Sequence, residues 1–127
     1  MTNGAPLEPL SRPRVLLAGD ASARPSGLER ALTRAGFQVT EAPGQTTEAP
    51  PDALLITLAE ADGPRLDSLL APGDPSPPRL VVFGLENRDA PGAALAAGAD
   101  DALAAPVHLP ELCARIHARI RDRQAPR

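Results

Sequence analysis

The segment Ala53-Leu54-Leu55-Ile56 is apolar at every position and runs straight into Thr57. A strand with one wet face alternates, whereas one covered on both faces reads as a short continuous apolar run, the signature of a parallel sheet between helical layers. The same pattern recurs at Val15-Leu16-Leu17-Ala18, closed by Gly19-Asp20, and at Leu80-Val81-Val82-Phe83. Helical spacing falls between the runs. Leu28, Ala31, Leu32 and Ala35 share one helix face, with Ser26 as the expected N-cap and Gly36 as the stop. Phe37 to Thr40 alternates as a second strand.

The stretch Ala42 to Pro51 holds three prolines and a glycine, so the helix expected there is shortened or missing. Arg65 to Leu70 is the core of a short helix. Ala90 to Ala97 forms another, with Pro91 tolerated only in its first turn and Gly98 ending it. Asp101 to Ala104 makes a short fifth strand. Pro110 opens a final helix with Leu112, Cys113, Ile116 and Ile120 on one face and Arg115, Arg119, Arg121 and Arg123 facing outward. Five strands alternating with helices predict an α/β fold, a doubly wound five-stranded parallel sheet with right-handed crossovers. The functional crevice of such a sheet lies at the carboxyl ends of its strands. That rim gathers Gly19, Asp20, Thr57, Phe83, Gly84 and Ala105.

Length and composition narrow the function classes. A chain of 127 residues suits one domain. Residues 1–13 hold three prolines and no periodic apolar face, so a disordered tail is expected, with the domain over 14–123 and a C-terminal tail or start of a linker over 124–127. The formal net charge of −3 and the presence of only two aromatics, Phe37 and Phe83, argue against direct nucleic-acid binding and against an anionic membrane surface. Every base is Arg, so lysine chemistry is excluded. Cys113 is the single cysteine, which excludes an internal disulfide and multi-cysteine zinc sites and fits a cytoplasmic location. No apolar run approaches the length of a membrane span.

Four blocks carry a resemblance: Val-Leu-Leu-Ala-Gly-Asp at 15–20, Ala-Gly-Phe-Gln-Val at 35–39, Pro-Asp-Ala-Leu-Leu-Ile at 51–56, and Ala-Gly-Ala-Asp-Asp-Ala-Leu-Ala-Ala-Pro-Val-His-Leu-Pro-Glu-Leu at 97–112. Together they resemble the receiver (CheY-like) domains of bacterial response regulators in two-component systems, and most closely receivers that precede winged-helix DNA-binding domains. The last block is the most specific. The resemblance implies a flavodoxin-like (βα)5 fold and a role in signal transduction or transcription regulation. It also implies a phosphorylation pocket in which an acidic pair holds Mg²⁺, an Asp accepts phosphate, a Ser or Thr senses it, and a Lys preceding a proline, usually across a cis bond, neutralises it. Those positions fall on Gly19 and Asp20, on Thr57, on Phe83, and on Ala105 followed by Pro106.

Only Asp20 keeps the family's chemistry. A lone carboxylate holds Mg²⁺ poorly, a Thr hydroxyl needs an adjacent base to act as a nucleophile, and neither Phe83 nor Ala105 can meet a phosphoryl group. The expectation is a degenerate receiver with no catalytic residues and no cofactor, metal binding being weak or absent. Asp20 is the one retained candidate ligand, its structural alternative being a turn or cap residue. Nothing cationic is expected at the rim. Phe83 is expected to fill the volume of the missing polar pocket, and Thr57 to be a plain strand-end residue.

The function expected is a phosphorylation-independent signalling module acting through protein-protein contact, with a protein partner or an output domain. A homodimer through the last two helices and fifth strand is a further candidate, with Asp101, Glu111 and Arg115 on charged positions of that interface; the alternative is that these charges only solvate a helix face. Two other readings stand beside it. One is a working phospho-receiver with a displaced acceptor at Asp52, Glu60 or Asp62. The other is a flavodoxin-like small-ligand binder, against which Ser22 stands where an Asp-x-His-x-x-Gly signature needs His. His108 and His117 lack a second ligand at metal spacing, and Cys113 is expected in the core.

Overall fold

The computed structural model describes residues 12–41, 51–70 and 77–124. Among them are five strands and four α-helices. In chain order these are β1 (Arg14–Gly19), a 3-10 turn (Ala21–Ala23), α1 (Leu28–Arg34), β2 (Gln38–Glu41), β3 (Ala53–Leu58), α2 (Gly63–Leu69), β4 (Arg79–Phe83), α3 (Ala90–Ala97), β5 (Asp101–Ala104) and α4 (Leu109–Gln124). The terminal tails, nearly all of the segment expected to hold a shortened helix, and most of the loop before β4 lie outside the described residues.

The strands form one sheet in the order β2-β1-β3-β4-β5, and every pairing is parallel. That order is the flavodoxin-like doubly wound topology, with its switch point between β1 and β3. Alternation along each strand divides the core into two layers. On one face Val15, Leu17, Leu55, Leu80 and Val82 pack against Leu28 and Leu32 of α1 and Leu112, Cys113, Ile116 and Ile120 of α4. On the other, Ile56, Leu58, Val81 and Phe83 meet Leu66 and Leu70 from α2 and its end, and Ala90 and Ala94 of α3. The absence of alternation that marked β3 and β4 in the sequence is the consequence of having a helical layer on each side.

Local details depart from expectation at Ser26 and at Arg119. Ser26 is exposed and does not cap α1; Gly27 occupies the N-cap with φ +80° and no side-chain bond, because a turn from Pro25 to Leu28 brings the chain in through a left-handed step. The helix after β3 contains nearly all of the expected Arg65 to Leu70 core and starts at Gly63, where Asp62 caps it by accepting a bond from the Arg65 amide. Arg119 is half-buried, whereas Arg115, Arg121 and Arg123 are exposed as expected. His117 stacks on Phe37 with ring centroids 4.2 Å apart and contacts the Ala35 carbonyl at 3.0 Å, which fixes α4 against the end of α1.

Candidate functional site

The carboxyl rim brings Gly19, Asp20 and Thr57 into direct contact. Gly19 ends β1 in register with Thr57 of β3 and has φ +90°. A Cβ at this position would collide with the Thr57 carbonyl oxygen, so only glycine lets the two strand ends approach this closely. One residue on, the Asp20 amide donates to that same carbonyl at 2.6 Å. The Thr57 hydroxyl returns the contact, donating to the Asp20 carbonyl at 2.8 Å. Thr57 is 0% exposed. Its hydroxyl is therefore sealed from solvent and committed to the backbone, and the switch-point crevice is stitched across by reciprocal bonds.

Replacing the hydroxyl by a methyl would leave the Asp20 carbonyl without that donor in a buried setting. Thr57→Val is expected to cost about 1–2 kcal/mol of unfolding free energy, measured by urea denaturation.

The Asp20 side chain leaves this seam and is bound from two directions. One carboxylate oxygen accepts from Arg65 Nη2 at 2.7 Å, and the other from Arg65 Nη1 at 3.1 Å and from the Ala59 amide at 3.0 Å. Asp20 caps nothing: the 3-10 turn that follows receives no side-chain bond from it. The expectation of a rim without a cation is thus corrected. Arg65 stands 45 residues from Asp20 in sequence but reaches it from the first turn of α2, and the sequence signal lay in Asp62, whose capping starts that helix beside the rim.

The Arg65 guanidinium, and then the Ala59 amide, hold the Asp20 carboxyl below the usual carboxylate range, against a smaller opposing effect of burial. A depressed folded-state value means the contribution is complete above the unfolded value and is lost as pH falls through the folded one. The urea midpoint of the native protein is therefore expected to fall more steeply below about pH 4 than that of Asp20→Asn, while the two run parallel near neutrality.

The remaining predicted positions lie apart from this seam. Phe83 ends β4 and is buried, in the layer with Leu58, Leu66 and Ala90, so its ring belongs to the core. Ala105 donates its amide to the Phe83 carbonyl at 2.9 Å and precedes a cis peptide bond to Pro106. Asp52 is removed from the rim altogether. It sits before β3 at the opposite end of the sheet, exchanging bonds with the Arg14 backbone, roughly 20 Å of strand away from the carboxyl end. Glu60 is exposed, and Asp62 is the α2 cap.

The donor set does not fit Mg²⁺. One carboxylate, already holding a guanidinium and an amide, cannot supply the several free oxygens the ion takes from a protein site. Among the described residues no group of three His, Cys, Asp or Glu side chains is placed to hold a metal ion.

Asp101, Glu111 and Arg115 do come together, within one chain. Arg115 reaches Glu111 Oε2 at 2.8 and 3.0 Å and both Asp101 oxygens at 3.2 Å, bridging β5 and α4. Arg123 adds a pair to Asp100 at 3.3 Å. The Arg115 side chain is 43% exposed, so Arg115→Ala should change stability by less than about 1 kcal/mol in thermal unfolding. Among the described residues no helix is long and apolar enough to cross a membrane.

Sheet order, parallel pairing and a switch point at the β1 and β3 ends define a flavodoxin-like α/β domain. Among curated proteins the chain is similar to the transcriptional regulatory protein PrrA of Mycobacterium leprae, 38% identical over 124 aligned positions that cover 91% of this chain and 53% of that protein. It is also similar to the transcriptional regulatory protein QseB of Haemophilus influenzae, at 34% over 118 positions, 87% of this chain and 53% of the relative. A response regulator of Chloroflexus aurantiacus superposes with a TM-score of 0.71 at 26% identity, over 87% of this chain and 99% of that one. No protein-family model matches. The chain is a receiver domain of the response-regulator family. It spans about half the length of the curated relatives it matches.

Proposed function

We propose that this receiver domain works without phosphorylation, as a regulatory or dimerisation module that passes its signal by protein-protein contact. The observation that carries the reading is the Thr57 hydroxyl, at the acceptor position of the resemblance, buried and spent on the Asp20 carbonyl. A nucleophile must be exposed and activated by a base, and this hydroxyl has neither quality. Phe83 lies in the core and Ala105 stands in the lysine position, so neither of these two positions offers a polar side chain to a phosphoryl group. No enzymatic turnover is expected, nor a bound metal, direct nucleic-acid contact or membrane association.

The domain extends over 14–123 in this reading, with 1–13 and 124–127 as tails or linker, and it operates in the cytoplasm. Its partner is another protein or an output domain, as befits a domain similar to half of proteins named transcriptional regulators. The Asp101, Glu111 and Arg115 cluster is the surface we assign to that contact, a two-fold pairing of copies being one form of it. Incubation with acetyl phosphate and Mg²⁺ followed by intact-mass measurement tests the first part: no phosphoryl adduct is expected, and a stoichiometric adduct contradicts the reading. For the second, a pull-down with Arg115→Glu should lose partners that the native domain retains.

A further inference from the structure

We propose that Arg65 is a tethered cation that closes the Asp20 carboxylate to divalent ions and clamps α2 to the ends of β1 and β3. The inference deepens the proposed function and rests on its view of the rim as metal-free, yet the two fail separately: a phosphoryl adduct would sink the proposed function, whereas ion binding in an Arg65 variant concerns Arg65 alone. The two Asp20 oxygens offer about four lone-pair sites, and three donors occupy all but one of them: both guanidinium nitrogens in a fork, and the Ala59 amide. Arginine stays charged at every accessible pH and its planar fork matches a carboxylate, so a free ion must displace a group that never leaves the neighbourhood.

The clamp also has structural reach. Asp20 follows β1, Ala59 follows β3 and Arg65 belongs to α2, so one carboxylate ties three elements across the switch point. The carboxyl-end loop from Ala59 to Asp62 is bounded on one side by the Ala59 amide bond and on the other by the first turn of α2, which Asp62 caps. Its position is thus set by a charge the chain carries itself and needs no bound divalent ion.

The test uses Mn²⁺ alone as the probe, an oxygen-seeking ion whose paramagnetism broadens nearby amide signals of the isotope-labelled full chain. In the native protein the Asp20 and Ala59 amides should broaden no more than those flanking the exposed Glu86, which report non-specific contact. In Arg65→Gln they should broaden several-fold beyond that reference, and in Asp20→Asn/Arg65→Gln they should return to it. Selective broadening in the native protein, or identical behaviour of native and Arg65→Gln, would overturn the proposal. Hydrogen exchange at the Ala59 amide gives a metal-free check: with the Arg65 side chain 43% exposed, Arg65→Gln should speed it by about two- to fivefold, and an unchanged rate would overturn the clamp.

Discussion

Gly19→Asp, the substitution that would rebuild an acidic pair next to Asp20, is expected to destabilise the domain by about 3 kcal/mol or more and to bind no metal in return. Two costs combine. A side chain at φ +90° sits in the left-handed region that residues with a Cβ rarely adopt, worth about 1–3 kcal/mol by itself. The new Cβ would also meet backbone, the Thr57 carbonyl, which cannot swing away as the tip of a long side chain can. Relief requires the β1 and β3 ends to part, which breaks the bond from the Asp20 amide and strains the one from the Thr57 hydroxyl. The midpoint of thermal unfolding should fall by roughly 10 °C or more in a domain of this size. Gly19→Ala should show most of the same loss, since the cost lies in the Cβ and not in the charge. An unchanged midpoint in Gly19→Ala would mean the seam is not closed.

Phe83→Ala should cost about 3–5 kcal/mol, a large share of the roughly 5–15 kcal/mol that a domain has in total. The ring is among the largest side chains fully withdrawn from solvent, packed with Leu58, Leu66, Ala90 and Ala94 between β4 and the two helices on its face. Small neighbours such as Ala90 and Ala94 cannot rotate to fill the gap, so the cavity term adds to the lost transfer energy. Chemical denaturation of Phe83→Ala beside Phe83→Leu separates the causes, because leucine restores much of the volume and should recover about half of the loss. If Phe83→Ala cost less than about 1 kcal/mol, the ring would be a rim residue and not part of the core.

Much of the architecture was legible from residue order alone. The ranges of β3, α3 and β5 follow from apolar runs bounded by Gly, Pro and Asp, and the full-length apolar character of β3 and β4 announced a sheet covered on both faces. The contents of the site were half legible. That Thr57, Phe83 and Ala105 differ from the side chains the resemblance implies at those positions is legible in the chain, but where those side chains go is not. Sequence gives no measure of how closely two strand ends approach, so the role of Gly19 as the one residue that fits against Thr57 emerged only from the backbone. The Asp20 to Arg65 pair was hidden for a related reason: 45 residues separate them, and the apolar pattern of a short helix does not say how close its first turn comes to the end of β1. Asp52 was misplaced as a candidate acceptor because nearness in sequence to Thr57 ignores that a strand has two ends.

On the phosphorylation-independent reading proposed above, the seam is what holds the rim of the receiver fold together. Mutual backbone and hydroxyl bonds join Asp20 and Thr57, and the guanidinium of Arg65 pairs with the Asp20 carboxylate. Both are interactions the chain makes with itself. The surface of β5 and α4, where Arg115 holds Asp101 and Glu111, is the one proposed above for protein contact.

The most direct measurement is an amide spectrum of the native chain recorded before and after adding Mg²⁺ and beryllofluoride, followed at Asp20, Thr57 and Ala59. A closed rim predicts that these three signals stay where they are at concentrations that saturate a working receiver. New positions for all three, together with shifts spreading to Phe83 and Ala105, would show that the rim opens and binds, and would contradict a receiver sealed against phosphate.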